Sequence, residues 1–268
     1  MPPKNSESAS ADKAAKFTEA QFGEMFYRVL LQNTARRRSL PKFSHSLLEA
    51  AGPVGVADIL TLEIKNNANL EELSQRFHGI SKSSSAFILS QLRQNNKPKL
   101  SSIFAGGSVS AKSTAAALRQ LVSANIVAPA SKDRIKLAPK VAVPDGTLCY
   151  YELKLKNWRR AIFQSAQALS YCDYAYCVMP VSAKKLLIGK KKIFRENGIG
   201  LITFDPATEN YEVLVRAAKR GPKRQAAKIE MMLRYADLAF PAIAPQLTRF
   251  QKFWRFIGFG KSATKRSL

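Results

Sequence analysis

The sequence predicts an α/β fold, a mixed sheet flanked by helices with a helical subdomain inserted into it. Three observations predict it. Residues 42–64 and 147–216 are rich in β-branched and apolar runs of strand length. Residues 67–126, between them, carry only helical apolar spacing. The second β-rich region reads strand, helix, strand, helix, strand, the order of crossover units with a largely parallel core.

Taken in order, residues 1–15 are small and polar and are expected to be a disordered tail. Residues 17–36 place Phe22, Met25, Phe26, Val29 and Leu30 at helical spacing, running into the basic end Arg36-Arg-Arg38. Residues 42–50 and 55–64 read as strands joined by the turn Ala51-Gly-Pro-Val54. The second of these holds a lone acid, Asp58.

Short helices are expected over 70–77, 82–94, 100–104 and 111–126, with Ser81 capping the second and Gly-Gly between the last two. Residues 127–138 would form a small β-wing. Helix, short helix, glycine turn, helix and basic wing resemble a winged helix-turn-helix over residues 80–138. That resemblance implies a grip on duplex DNA, with recognition by residues 111–126 and contacts from Lys112, Ser113, Arg119 and Arg134. A competing parse makes residues 70–77 and 82–94, joined at His78-Gly-Ile80, the helix-turn-helix pair.

Asp145-Gly146 between residues 140–144 and 147–155 predicts a hairpin. A helix over 158–169 follows, capped by Asn157. Then come a strand over 174–179, a basic helix over 183–196, and strands over 198–205 and 211–216. The last segment, residues 221–268, is a basic and aromatic helical extension containing Arg249-Phe-Gln-Lys-Phe-Trp-Arg-Phe256. The expected domains are therefore a core of residues 16–66 and 139–220, an insertion of residues 67–138, and this extension.

With 43 Lys and Arg against 19 Asp and Glu in 268 residues, the chain carries a net charge of +24. Such a field attracts polyanions, and nucleic acid is the partner it predicts, double-stranded DNA first. Cys149, Cys172 and Cys177 have neither disulfide-framework nor metal-ligand spacing and are expected to be buried thiols. No apolar run reaches the roughly 18 residues of a membrane span, and the N-terminus has no signal core. The expectation is a cytoplasmic protein, nucleoid-associated or nuclear according to its source, with no membrane partner and with a homodimer left open.

Chemistry is concentrated in Thr147-Leu-Cys-Tyr-Tyr-Glu-Leu-Lys-Leu-Lys-Asn-Trp158. Strand alternation puts Glu152 and Lys154 on one face and Tyr151, Leu153 and Leu155 on the other. Two charges on an apolar strand are costly to desolvate unless paired or used. Glu152-Leu-Lys154, the helix Trp158-Arg-Arg-Ala-Ile-Phe-Gln164, the strand ending Tyr176-Cys-Val-Met-Pro180, and Gly198-Ile-Gly-Leu-Ile202 together resemble the PD-(D/E)XK nuclease superfamily. The resemblance covers residues 40–65 and 140–216. It implies a restriction-endonuclease-like mixed sheet flanked by helices, with the winged helix inserted.

It further implies a magnesium-dependent phosphodiester hydrolase. A divalent ion neutralises the scissile phosphate and acidifies a water, and magnesium prefers carboxylate oxygens. Asp58 and Glu152 would hold it, and Lys154 would orient or deprotonate the water or stabilise developing charge. Gln164 would position that lysine or the phosphate, and Arg159 and Arg160 would bind the nucleic acid backbone. Asp145 follows a literal Pro144, but seven strand residues span roughly 23 Å, which favours Asp58. Glu19, Glu24 and Glu49 are each open as a further acid. The rival reading is a non-catalytic DNA-binding protein on the same scaffold, and a weaker one is an RNA-associated basic protein.

Overall fold

A computed structural model of the chain describes residues 17–32, 39–53, 55–65, 70–106, 109–222 and 224–240. The expected tail, the Arg36–Arg38 end and the aromatic run 249–256 lie outside the described residues.

The chain runs α1 (Glu19–Gln32), β1 (His45–Ala51), β2 (Val56–Ile64), then α2 (Leu70–Arg76), α3 (Lys82–Gln94), α4 (Leu100–Ala105) and α5 (Ala111–Ser123). Next come β3 (Val127–Ser131), β4 (Arg134–Leu137), β5 (Gly146–Leu153), α6 (Trp158–Ala168) and β6 (Tyr174–Pro180). The remainder is α7 (Lys184–Ile188), α8 (Lys191–Asn197), β7 (Gly200–Asp205), β8 (Asn210–Val215) and α9 (Gln225–Ala239). The fold is α/β. Its main sheet is six-stranded and mixed, in the order β1-β2-β5-β6-β7-β8. β1, β2 and β5 pair antiparallel, β5, β6 and β7 parallel, and β8 returns antiparallel to β7. Among the described residues no helix is long and apolar enough to cross a membrane.

One face of the sheet is covered by α1. Thr18 Oγ1 accepts from the Gln21 N–H at 3.2 Å while Gln21 Oε1 accepts from the Thr18 N–H at 3.0 Å, a capping box that sets the helix start. Phe22 and Phe26 then pack on Phe204, each with ring centroids 5.4 Å apart. Burying each such ring contributes about 1.5–3 kcal/mol. Ile59, Cys149, Tyr151, Leu153, Tyr176, Val178 and Ile202 complete this layer. Tyr151 stacks on Tyr176 at 5.5 Å. Gly200 makes room for that ring, since a Cβ there would meet the Tyr176 ring at 2.1 Å.

The opposite face is continuous with the helical insertion. Leu60, Leu62, Leu148 and Tyr150 of the sheet share one apolar cluster with Phe77, Ile88, Leu89, Ile103, Leu121 and Ile126. α9 joins the two, burying Ile229, Met231, Met232, Leu233 and Tyr235. A buried ion pair fixes it: Lys228 Nζ lies 2.8 Å from Asp173 Oδ2, which also accepts the Leu148 N–H at 2.8 Å. All three cysteines are buried and free.

Within the insertion, α3, α4 and α5 are followed by the β3–β4 hairpin. Lys99, just before α4, bridges to Arg134 of β4, so the segment entering α4 lies along the hairpin.

Two sequence expectations are corrected. Residues 140–144 form no strand, and β5 pairs with β2 rather than in a hairpin across Asp145-Gly146. Gly146 is needed for close approach of β2: a Cβ would sit 2.5 Å from the Glu63 carbonyl oxygen. Asp145 accepts from the Gly146 N–H at 2.8 Å and pairs with Arg93 at 2.9 Å, so it ties the insertion to the sheet. The basic helix over 183–196 is two helices, α7 and α8, broken at Gly189-Lys190.

The pair Lys228–Asp173 gives a stability prediction. Lys228→Met leaves Asp173 buried without its cation and lowers unfolding free energy by about 3–5 kcal/mol, measured by urea denaturation. An unchanged midpoint would show that the pair does not fix α9.

Candidate active site

The site is formed where β2 and β5 part. Their pairing stops at Ile59 with Tyr151. Beyond it the Leu153 N–H donates to Asp58 Oδ2 at 2.7 Å rather than to β2 backbone. β5 meanwhile stays with β6, and the Lys154 N–H donates to the Val178 carbonyl at 3.1 Å. The parting leaves Asp58, Glu152 and Lys154 together at the carboxyl end of β5.

Lys154 is the hub. Its Nζ lies 2.7 Å from Glu152 Oε1, 3.8 Å from Asp58 Oδ2 and 3.6 Å from Glu19 Oε2. It also donates to the Leu153 carbonyl at 3.0 Å. Glu152 is 0 % exposed. Tyr150, two residues earlier on the same face, donates its hydroxyl to Glu152 Oε2. The other oxygen, Oε1, is buried, and the Lys154 ammonium is the group that faces it. Glu19, in the first turn of α1, accepts the Leu155 N–H at 3.3 Å.

Burial pushes the Glu152 carboxyl above its ordinary range, and the nearby Asp58 carboxylate adds to the rise. Burial raises Asp58 too, against the Leu153 N–H and the Lys154 ammonium. For Lys154, burial works downward, but Glu152, Asp58 and Glu19 outweigh it and hold its pKa above the usual value. A raised lysine adds stability that is complete below the unfolded pKa near 10.5 and is lost as pH rises through the folded one. The cluster thus favours the cationic form of Lys154, which suits charge stabilisation.

Beside this cluster lies a pocket of about 200 Å³, lined by Glu19, Glu24, Glu49, Asp58 and Leu153 among others. Four of the chain's 19 acids thus share one pocket of a protein with net charge +24. The β1–β2 register sets Glu49, at φ 51°, opposite Asp58. Of the three acids left open, Glu19 reaches Lys154, while Glu24 and Glu49 line the pocket. Glu63 belongs to the other end of β2.

Gln164 sits on α6 with its amide oxygen buried and unpartnered. The Asn157 side chain caps that helix, accepting from the Arg160 N–H at 3.0 Å. Arg159 and Arg160 are exposed at its start, Arg159 lying 5.1 Å from the Trp158 ring. Lys112, Ser113 and Arg119 are exposed on α5. Ser113 bonds the cap residue Ser110. Arg134 is half-buried and donates to the Lys97 carbonyl at 2.7 Å, so part of its donor set holds the insertion together.

Sequence reasoning missed Tyr150, though its place two residues before Glu152 signalled a shared face. It left Glu19 undecided, though the Thr18-x-x-Gln21 box fixes α1 and sets Glu19 in its first turn.

Among the described residues no group of three or more His, Cys, Asp or Glu stands ready to hold a metal ion. The groups around the Lys154 ammonium are nonetheless all oxygens: three carboxylates and the Leu153 carbonyl. That is the donor chemistry of magnesium, which completes its shell with water. Lys154 Nζ lies 2.7 Å from Glu152 Oε1, so a divalent ion there would have to displace the ammonium.

No protein-family model matches the chain, and no curated protein matches its sequence.

The pKa of Lys154 gives a direct check on the cluster. Glu152→Gln lowers it, and Asp58→Asn lowers it by less, in a lysine side-chain NMR titration. Equal pKa values in both variants and the parent would mean that the ion contacts are absent in solution.

Proposed function

We propose that this protein is a magnesium-dependent phosphodiester hydrolase acting on double-stranded DNA. The observation that carries the reading is the convergence of Asp58 and Glu152 on one ammonium, 3.8 and 2.7 Å away. Two oxygens ligated by one ion at about 2 Å lie within about 4 Å of each other, so the two carboxylates would close on the ion as Lys154 withdraws. The mixed sheet, with α6 and the unpartnered Gln164 oxygen after Glu152-Leu-Lys154, supports a restriction-endonuclease-like core. The order α3, α4, α5 and the β3–β4 hairpin supports an inserted winged helix-turn-helix that grips the duplex.

Asp58 and Glu152 would hold magnesium, which supplies neutralisation of the scissile phosphate and a more acidic water. Lys154, released from the carboxylates, stabilises negative charge on the phosphate in the transition state. Tyr150 holds the Glu152 carboxyl by one oxygen, and the other faces the Lys154 ammonium. Gln164 offers its amide to Lys154 or to a phosphate oxygen. Arg159 and Arg160 hold the DNA backbone beside it.

A second reading has its own observation. The Lys154 ammonium already fills the space between the carboxylates, as it would in a DNA-binding protein that uses this scaffold without cutting.

Magnesium-dependent cleavage of plasmid and branched DNA separates the two. The hydrolase reading expects cleavage by the parent, a loss of at least about a hundredfold in Glu152→Ala and Lys154→Ala, and DNA binding retained in both. Tight binding with no cleavage by the parent would establish the scaffold reading. A cut that survives both substitutions would sink the site.

A further inference from the structure

The outward face of α6 carries a side chain that the hydrolase reading does not use. Phe163 is 62 % exposed, the most exposed large apolar side chain among the described residues. A single exposed phenylalanine is ordinary; its neighbours set this one apart. Helical spacing places it one turn from Arg159 and Arg160 and one turn before Gln167, all exposed. Among the described residues neither arginine has an ion pair with a carboxylate. The next residue, Gln164, turns its amide oxygen inward. The helix begins four residues after Lys154, so this aromatic and cationic stripe adjoins the proposed active site.

The chemistry of the stripe selects its ligand. Two guanidinium groups with no carboxylate partner among the described residues suit phosphates. A phenyl ring offers no hydrogen bond to a duplex backbone. What it offers is a flat apolar face, and the matching surface on DNA is the face of a base. In a duplex those faces are already stacked on each other; only an unpaired base presents one.

We propose that Phe163, flanked by Arg159 and Arg160, is a stacking platform for an unpaired base, and that the substrate is DNA with a single-stranded segment adjoining the duplex. The inference rests on the reading of the protein as DNA-binding and deepens it. Phe163 takes the base, the two arginines take the phosphates on either side of it, and the strand is thereby led along α6 to Lys154.

The test is binding by fluorescence anisotropy in EDTA, so that it does not depend on catalysis. The probes are a blunt duplex and the same duplex with a single-stranded tail of about 12 nucleotides, long enough for such a site. The parent is expected to prefer the tailed probe. Phe163→Ala loses roughly tenfold on the tailed probe, the effect of one lost stacking contact, with little change on the blunt one. Phe163→Trp retains the preference. The side chain is exposed, so these variants keep the fold.

Equal affinity of the parent for both probes, or an equal loss by Phe163→Ala on both, would overturn the proposal. A self-associated parent that Phe163→Ala turns into a monomer, with tail binding unchanged, would also overturn it and assign the face to a second copy. A tail preference that depends on Phe163 in a protein that never cuts would sustain this inference while removing the hydrolase reading.

Discussion

A fully buried carboxylate, Glu152, sits at the end of a strand in an otherwise apolar layer. Unpaired, it would cost several kcal/mol. The structure offsets that cost with the Lys154 ammonium on one oxygen and the Tyr150 hydroxyl on the other. Lys154 in turn gathers Asp58 and Glu19, so four charges from α1, β2 and β5 depend on one contact. Both Asp58 and Glu152 remain raised, chiefly by burial, with Glu19 adding to the rise of Asp58 and Asp58 to that of Glu152. A protein without use for these acids would be more stable with apolar residues there. Asp58 lines the pocket, with Glu152 buried behind it, and acids raised by burial beside a cleft are the pattern of a functional site.

The scaffold serves this cluster. Strand pairing runs from β1 to β8 but opens between β2 and β5 where the acids converge. α1 lies against one face through Phe22 and Phe26, and its first turn delivers Glu19. α6 lies on the other, with Gln164 turned inward and Phe163 outward. The insertion is not an appendage: its core merges with the sheet through α9, Lys228–Asp173 and Arg93–Asp145. DNA held by α5 and the β-hairpin would be held rigidly with respect to Glu152.

Much of this was legible in the sequence. Alternation placed Glu152 and Lys154 on one face, and apolar spacing located most helices closely. Asp145, set aside on distance, stands just before β5 and pairs with Arg93, away from the cluster, though not in the hairpin turn expected of it. What was not legible depended on long-range pairing. Asp145-Gly146 carries the local signal of a hairpin, yet the glycine is there because β2, some 80 residues earlier in the chain, passes within 2.5 Å of where a Cβ would sit. Glu19 meets Lys154 across 135 positions, and no local pattern reports such a contact. The pKa of Lys154 likewise follows from three carboxylates on three elements, so its role as a cation emerged only with the fold.

The central claim is that the ammonium of Lys154 stands where a divalent ion belongs. Crystals soaked in manganese chloride and measured for anomalous scattering test it most directly. The account predicts one strong peak within about 2.2 Å of the Asp58 and Glu152 carboxylates, with the Lys154 side chain displaced from between them. No peak at saturating manganese, with Lys154 still between the two acids, would contradict it.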